Sequence, residues 1–200
     1  MATRLIRASD LVRVPWKNGG GTTAEIAAFP EGSGFETFGW RISMADVTSD
    51  GPFSVFPGTD RTLVVLEGHG VELDVEGVPF RLDRTAPRLS FAGDDMTTGR
   101  LLSGPIRDLN VMTRRGQFTH RTRIMDSGVA LLSEDTCAAF IVAIDAAFDV
   151  TVEDKIHSLQ ALDTLYLEST QDMIQIAGTG RALLIEIAPV VSASEDAPAR

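Results

Sequence analysis

Residues 62–82 read TLVVLEGHGVELDVEGVPFRL, and this stretch predicts the fold. It opens with the continuous apolar run 62–66, which is typical of a buried strand. Residues 71–75 then alternate apolar and acidic side chains, and residues 78–82 alternate again after a two-residue link that ends in glycine. Period-two alternation on both sides of such a link predicts a β-hairpin. The stretch therefore predicts sheet rather than helix.

The same pattern recurs later in the chain. Residues 140–144 form a second apolar run, and residues 148–152 repeat the alternation of residues 71–75 at an offset of 77, from position 71 to position 148. The same offset takes Leu82 to Leu159. A period of this length is too long for a solenoid unit. It predicts two copies of one small β domain.

Further short strands extend the pattern in both directions. Residues 40–47 alternate, and other strands are expected at 89–91, 100–102, 109–115 and 182–187. Short strands spaced about ten residues apart are typical of a sandwich or barrel. The prediction is an all-β chain.

The repeat also predicts the domain organisation. An N-terminal barrel is expected over residues 1–115, and a plainer, degenerate barrel over residues 116–190. Residues 191–200 contain only Val, Ser, Ala, Glu, Asp, Pro and Arg, a composition that predicts a disordered tail.

Charge and composition exclude several classes of partner. The net charge is −10 and the sequence pI is about 4.7, which argues against nucleic acid and against an anionic membrane surface. Cys137 is the single cysteine, so no disulfide within the chain is expected. Neither a signal peptide nor an apolar run long enough to cross a membrane is evident. A cytoplasmic protein is the expectation.

The stretch Trp16-Lys17-Asn18-Gly19-Gly20-Gly21 combines an aromatic ring, a cation and an amide with three glycines. Consecutive glycines favour a tight bend or the close approach of another group to the backbone. A bend and a ligand contact both remain open. A P-loop is excluded, because the lysine precedes the glycines.

Five motifs share their order with one known family. They are residues 15–22 (PWKNGGGT), 40–45 (WRISMA), 51–61 (GPFSVFPGTDR), 66–68 (LEG) and 104–112 (GPIRDLNVM). On these motifs the chain resembles the HutD/Ves family of bacterial bicupins. The resemblance implies two cupin-like, jelly-roll β-barrels in one chain. It also implies a link to histidine utilisation for the HutD branch and to stress response for the Ves branch, with no reaction to carry over.

The resemblance to cupins raises the question of a metal site. Cupin enzymes bind a metal through H-x-H and Glu on one strand and His on a later strand. With residues 66–68 as the anchor, these slots fall at residues 54–56, near Arg61 or Thr62, and at Met96. Such residues do not supply the imidazole and carboxylate ligands that first-row metals prefer. The three histidines, His69, His120 and His157, are far apart in sequence, so neither a metal nor another cofactor is expected.

The motifs instead supply cations, amides and aromatic rings for a ligand site. The expected ligand-binding residues are Trp16, Lys17, Asn18, Gly19, Gly20, Trp40, Arg41, Ser43, Arg61 and Asn110. An arginine fork pairs well with a carboxylate, and bare glycine amides can add an anion nest. Alternative roles stay open: Trp40 as core, Arg41 as solvent-facing, Asn110 at a strand edge, and Asp108 in a surface ion pair with Arg61 or with the neighbours of Arg107.

Three functions are compared. The first is a protein without enzymatic activity that binds a small carboxylate of histidine degradation, such as urocanate or formylglutamate, and modulates histidine utilisation. The second is a metal-independent isomerase or hydrolase, with Lys17 as base and Glu25 or Glu67 as acid. The third is an interaction role through the second barrel, with residues 140–144 and 166–167 at the interface of a homodimer. The first is the favoured hypothesis.

Overall fold

The computed structural model describes residues 3–168 and 173–191 of the chain. In this part the structure consists of β-strands and one 3-10 helix, Ala8–Asp10, and the prediction of an all-β chain is confirmed. It contains no helix long and apolar enough to cross a membrane. Of the predicted tail, residues 192–200 lie outside the described residues.

The strands of the first half are numbered in chain order. They are β1 (Thr3–Ile6), β2 (Arg13–Pro15), β3 (Gly21–Phe29), β4 (Trp40–Val47), β5 (Gly51–Pro52), β6 (Thr59–Glu67), β7 (Val71–Val75), β8 (Val78–Leu82), β9 (Arg88–Ala92), β10 (Thr97–Leu101) and β11 (Ile106–Arg114).

The second half continues the numbering. Its strands are β12 (Phe118–Met125), β13 (Gly128–Leu131), β14 (Ala138–Ala143), β15 (Phe148–Val152), β16 (Lys155–Leu159), β17 (Thr164–Glu168), β18 (Met173–Gly178) and β19 (Ala182–Pro189).

Each half contains two sheets. In the first half the strand orders are β2-β3-β4-β11-β6-β9 and β5-β10-β7-β8, and in the second they are β12-β19-β14-β17-β1 and β13-β18-β15-β16. Strands β4 to β11 correspond one by one to strands β12 to β19, because each takes the same place in its sheet. The repeat predicted from the hairpin is therefore present in the topology.

One strand crosses between the halves. Strand β1 pairs antiparallel with β17, with Thr3 opposite Leu167 and Ile6 opposite Thr164. Arg7 follows and binds the carboxylate of Asp163 at 2.7 Å. Strand β1 therefore belongs to a sheet of the second half, while the division at residue 115 stays a prediction.

Three apolar cores hold the sheets together. One lies between the two sheets of the first half around Leu63 and Leu73, and another lies between those of the second half around Ile141 and Val150. The third joins the six-stranded sheet to the five-stranded sheet and contains Trp40 of β4. This third core, called the seam below, makes one packed body of the two halves.

The apolar run suggested for a homodimer interface lies inside the chain. Phe140 and the residues that follow it to Ile144 are all buried, and Leu167 is buried as well. Strand β14 is central in its sheet, with one face on the seam and the other on the second core, so no face of it is free for a partner. The assignment of an intermolecular interface to residues 140–144 was therefore wrong. Tyr166 is half-buried, with its ring centroid 4.8 Å from that of Phe140, and a homodimer as such stays a prediction.

Candidate functional site

A cavity of about 1060 Å³ opens within the first half. Its walls come from the β2–β3 hairpin, the inner face of β4, β6 and β11, and the loop that contains Phe53 and Phe56. Seven of the predicted ligand-binding residues line it: Trp16, Lys17, Asn18, Arg41, Ser43, Arg61 and Asn110. The fold therefore brings together side chains that are up to 94 positions apart, from Trp16 to Asn110.

The alternation of β4 assigns its two faces. Trp40, Ile42 and Met44 point into the seam, whereas Arg41 and Ser43 point into the cavity. Because successive side chains of a strand point to opposite faces, the two sets are separated by the sheet. The suggestion that Arg41 is solvent-facing was wrong, because the opposite face to Trp40 is a cavity wall.

Arg61 is the most deeply placed cation of the cavity. Its side chain belongs to a residue that is 5% exposed, and Asn110 Oδ1 accepts hydrogen bonds from both its Nε, at 2.8 Å, and its Nη2. The guanidinium lies over the rings of Phe53 at 5.2 Å and Phe91 at 5.3 Å. Burial lowers the pKa of Arg61 to about 10, against the opposing field of Asp108, and still leaves it charged at neutral pH.

Asp108 lies beneath Arg61 and Asn110. It is 0% exposed, and its Oδ1 accepts a hydrogen bond from Asn110 Nδ2 at 2.6 Å. Burial raises the pKa of Asp108 to about 7, and this effect outweighs the opposing influence of the Arg61 charge and of the Asn110 hydrogen bond. The suggestion of a surface ion pair between Asp108 and Arg61 was wrong, because the pair is buried and bridged by Asn110.

Arg41 is the second buried cation of the cavity. Its Nε binds Glu25 at 2.8 Å and its Nη1 donates to Ser43 Oγ at 3.0 Å. The exposed ring of Phe35 covers it at 4.9 Å. Glu25 itself lines the cavity, so part of the Arg41 charge is already compensated there.

Arg41 and Arg61 lie in one cross-strand row. Both are opposite Met112, Arg41 from β4 and Arg61 from β6. Because β11 separates them, their Cα atoms are about 10 Å apart, twice the usual strand spacing. Arg41 and Arg61 therefore line the cavity from the two strands that flank β11, with Met112 on the strand between them.

The tryptophan–glycine stretch forms the turn of the β2–β3 hairpin at the rim of the cavity. The amide of Trp16 donates to the carbonyl of Gly21 at 2.9 Å, and Gly19 has a φ of 72°. Asn18 Oδ1 accepts from the amide of Gly20 at 3.1 Å, and Trp16 Nε1 donates to Thr23 Oγ1 at 2.7 Å. A bend and a ligand contact, the two alternatives for this stretch, are compatible, because the tight bend carries the side chains of Trp16, Lys17 and Asn18 on the cavity wall.

The remaining predicted residues lie elsewhere. Trp40 belongs to the seam, where it stacks on Phe29 and meets Phe140 edge to face. Gly19 and Gly20 belong to the hairpin turn but are not among the residues that line the cavity. Glu67 is on the outside and binds Arg107 at 2.7 Å. A ligand role for Trp40 and an acid role for Glu67 do not fit these positions.

The prediction of the ligand-binding residues missed the aromatic wall of the site. Phe53 and Phe56 flank the Arg61 guanidinium, and both stand in the motif 51–61. Asp108 was placed at the surface although it precedes Asn110 by two positions on the same strand. Period-two alternation assigns the two residues to one face and was the available signal.

The residues that line the cavity do not fit the metal ion that cupin enzymes bind. Across residues 3–168 and 173–191 no three His, Cys, Asp or Glu side chains come together as a metal-binding group. The buried charges that line the cavity are the guanidiniums of Arg41 and Arg61, which repel a cation.

Comparisons of the sequence with known proteins identify the family that the chain matches. A family model described as HutD matches residues 8–184. The chain is 35% identical over 185 residues to an uncharacterized 21.2 kDa protein in the hutC 3′ region of Pseudomonas putida, with 92% of this chain and 96% of that protein covered. It is 34% identical over 139 residues to Protein Ves of Citrobacter koseri, with 67% and 71% covered.

Solved structures with the same fold superpose on this chain. HutD from Pseudomonas fluorescens SBW25 superposes with a TM-score of 0.82 at 33% identity, with 95% of this chain and 100% of that chain covered. A bacterial pirin from Escherichia coli in complex with nickel(II) reaches a TM-score of 0.62 at 11% identity, with 94% and 100% covered. The second likeness concerns the fold alone, and together they show a cupin-like all-β fold.

Proposed function

The chain belongs to the HutD family, and on this premise we propose that it binds a small carboxylate metabolite in the first half and thereby modulates histidine utilisation. We further propose that the two sheets of each half form one barrel, so that the chain is a bicupin. The observation that carries the binding proposal is the row of two buried arginines in the cavity, Arg41 and Arg61.

The arginines keep donors available for a ligand. Among the described residues, Arg61 Nη1 and Arg41 Nη2 have no hydrogen-bond partner. A guanidinium nitrogen in a partly dry cavity is a strong donor to an anionic oxygen. Of the two, Arg61 is the better anchor, because its direct partner is the neutral Asn110, whereas Arg41 is paired with Glu25.

The rest of the cavity favours a carboxylate with an apolar or extended body. The rings of Phe53 and Phe56 and the thioether of Met112 surround the cations, and Lys17 adds a further cation at the rim. A monocarboxylate such as urocanate would place its carboxylate on Arg61 and its ring on the aromatic wall. A dicarboxylate such as formylglutamate would engage both arginines. Two of the named relatives favour histidine metabolism, since one carries the HutD name and the other lies in the hutC 3′ region.

The enzyme hypothesis has less support in the geometry. Lys17 is exposed at the rim, and Glu25, which lines the cavity, is paired with Arg41. Such chemistry usually requires a general acid and a general base that are enclosed together in a dry pocket. These positions do not meet that requirement, and binding without turnover is the function that we propose.

Calorimetric titration of the full chain with formate, urocanate and N-formylglutamate tests the binding. Saturable heat is expected for at least one of the three. Arg61→Gln should weaken that binding by about 100-fold or more, because it removes two charge-assisted hydrogen bonds of about 1.5 kcal/mol or more each. Arg115→Gln is the matched control, since Arg115 binds Asp60 and Asp94 outside the cavity.

Two outcomes would contradict the binding proposal. The first is no saturable heat with any of the three carboxylates at millimolar concentration. The second is equal affinity in wild type and Arg61→Gln. The metabolic part is tested in the host by growth on histidine: a deletion strain should be restored by the wild-type gene and not by the Arg61→Gln gene, and equal restoration would refute the link.

A further inference from the structure

Asp108 carries an oxygen without a partner in the most enclosed part of the first half. Its Oδ1 accepts from Asn110, while Oδ2 has no hydrogen-bond partner among the described residues. In register, Asp108 lies between Ala45 of β4 and Val65 of β6, which are both apolar. Buried polar atoms are almost always partnered, so an orphaned carboxylate oxygen points to a role beyond packing.

The three polar side chains form a chain that leads from the buried core to the cavity. Asp108 holds the amide of Asn110, and the amide oxygen of Asn110 holds two nitrogens of Arg61. Asn110 and Arg61 line the cavity and Asp108 does not. Asp108 therefore acts on the cavity through the other two, by fixing the orientation of the Asn110 amide and with it the plane of the guanidinium.

Few charges act on Asp108. The cation of Arg61 on β6 lowers the pKa of Asp108, and the carboxylate of Asp46 on β4 raises it. Asp46 is itself held by Arg107 at 2.7 Å and by Arg13. The core on the other side is apolar, with Val71 and Leu73 from β7. Arg61 is thus the one cation among these groups that directly offsets a charge on Asp108.

We propose that Asp108 is a positioning residue of the carboxylate site, and that a proton from solvent is taken up on its Oδ2 when a ligand carboxylate engages Arg61. This inference rests on the proposed function. The reason is a count of charges, because one buried guanidinium cannot offset both an incoming carboxylate and an ionised Asp108 in a medium of low polarity. Protonation of Oδ2 leaves the ligand and Arg61 as the neutral pair, and the hydrogen bond between Oδ1 and Asn110 is kept.

The direction of the pH effect follows from linkage. Burial already raises the pKa of Asp108 to about 7, and a bound anion raises it further. Ligand binding and proton binding at Asp108 therefore favour each other. Affinity is highest at low pH and falls as pH rises above 7, by close to tenfold per pH unit until the bound complex itself loses the proton.

The test is calorimetric titration of the wild-type chain with N-formylglutamate and with formate between pH 6 and pH 9. Neither probe has a group that titrates in this range, whereas the imidazole of urocanate titrates near it. Titrations at pH 8 in HEPES and in Tris, which differ in ionisation enthalpy, give the number of protons taken up. Close to one proton per bound carboxylate is expected, together with the fall in affinity above pH 7.

Asp108→Asn keeps the shape of the side chain and mimics the protonated form. This variant should bind at pH 8 about as tightly as wild type binds at pH 6, with proton uptake near zero and a flat pH profile. Asp60→Asn is the matched control, because Asp60 precedes Arg61 on β6 and binds Arg115 outside the cavity. Its uptake should equal that of wild type.

The outcomes separate this inference from the function on which it rests. Binding without proton uptake and with a flat pH profile in wild type would overturn the role of Asp108 and leave carboxylate binding intact. Uptake that persists in Asp108→Asn would overturn it equally. No heat from either probe at any pH, together with no heat from urocanate, would contradict the binding function itself. If Asp108→Asn does not fold, the wild-type uptake in the two buffers decides alone.

Discussion

Replacing Asp108 with Asn should change how the stability of the protein depends on pH. In the folded chain the pKa of Asp108 is raised from 3.8 to about 7, chiefly by burial. The folded state therefore binds more protons than the unfolded state between these values, and this residue makes the free energy of unfolding fall as pH rises. Asn removes that contribution and keeps the hydrogen-bonding shape.

The magnitude follows from the shift. Each pKa unit corresponds to about 1.4 kcal/mol, so about three units give an upper limit of about 4 kcal/mol between pH 4 and pH 7. At pH 4.5, where wild-type Asp108 is mostly neutral, the two proteins should differ by less than about 1 kcal/mol. At pH 8 the variant should be the more stable one, by about 2 to 4 kcal/mol.

His120 acts in the opposite direction. It lies between Thr62 and Thr113, with 2.8 Å to each hydroxyl, and burial lowers its pKa from 6.5 to about 4. The unfolded state binds more protons in this window, so the stability from His120 is present above pH 6.5 and is lost as pH falls toward 4. Between pH 4.5 and 6.5 the two residues nearly cancel in wild type.

The assay is urea unfolding at pH 4.5, 5.5, 6.5 and 8, followed by tryptophan fluorescence. Wild type should be nearly level from pH 4.5 to 6.5, whereas Asp108→Asn should gain about 2 to 3 kcal/mol over the same range, because His120 then acts unopposed. Asp149→Asn is the matched control, because Asp149 is exposed on β15 and its side chain bonds only Ser158 among the described residues, and the curve of this variant should run parallel to that of wild type. Parallel curves for wild type and Asp108→Asn would refute the reasoning, since they would mean that burial does not protonate Asp108.

Three further predictions concern the seam, the hairpin and the second arginine. Trp40→Ala should destabilise the protein by about 3 to 5 kcal/mol, as large-to-small core changes do, yet leave carboxylate affinity within twofold; a large loss of affinity in a folded variant would place Trp40 in the site. Gly21→Ala should lower the melting temperature, because its Cβ would collide with the carbonyl oxygen of Asp46; an unchanged melting temperature would contradict the hairpin geometry. Glu25→Gln should strengthen carboxylate binding several-fold in calorimetry by freeing Arg41, and weaker binding would show that Glu25 positions it instead.

Much of the site was accessible from the sequence because its residues fall in a few motifs. Arg41, Arg61 and Asn110 were predicted from residue chemistry and family resemblance, and the structure brings them to one cavity. Trp40 was included because it is one of two tryptophans in the chain and stands in one of the family motifs. Strand geometry places Trp40 and Arg41 on opposite faces of β4, because neighbouring side chains in a strand point to opposite sides.

Alternation could have assigned Asp108 to the face of Asn110, but its complete burial was beyond sequence reasoning for a different reason. A carboxylate is ordinarily exposed or paired, so a surface ion pair was the natural expectation. Asp108 is buried because β11 is the central strand between β4 and β6, with a sheet packed on each side. Centrality in a sheet depends on which distant strands pair with it.

What the sequence determined by itself was the alternation, the turns and the repeat. Period-two patterning around residues 62–82 and its recurrence at 140–159 are local features, and local features fix strands and hairpins. What only the tertiary structure decided was which face of each strand became the cavity. Alternation separates an apolar face of β4 from a polar face, but it does not tell whether the polar face is open to solvent or lines a cavity. Both faces are buried in the structure, because the second half packs against the apolar face and the cavity lies over the polar face.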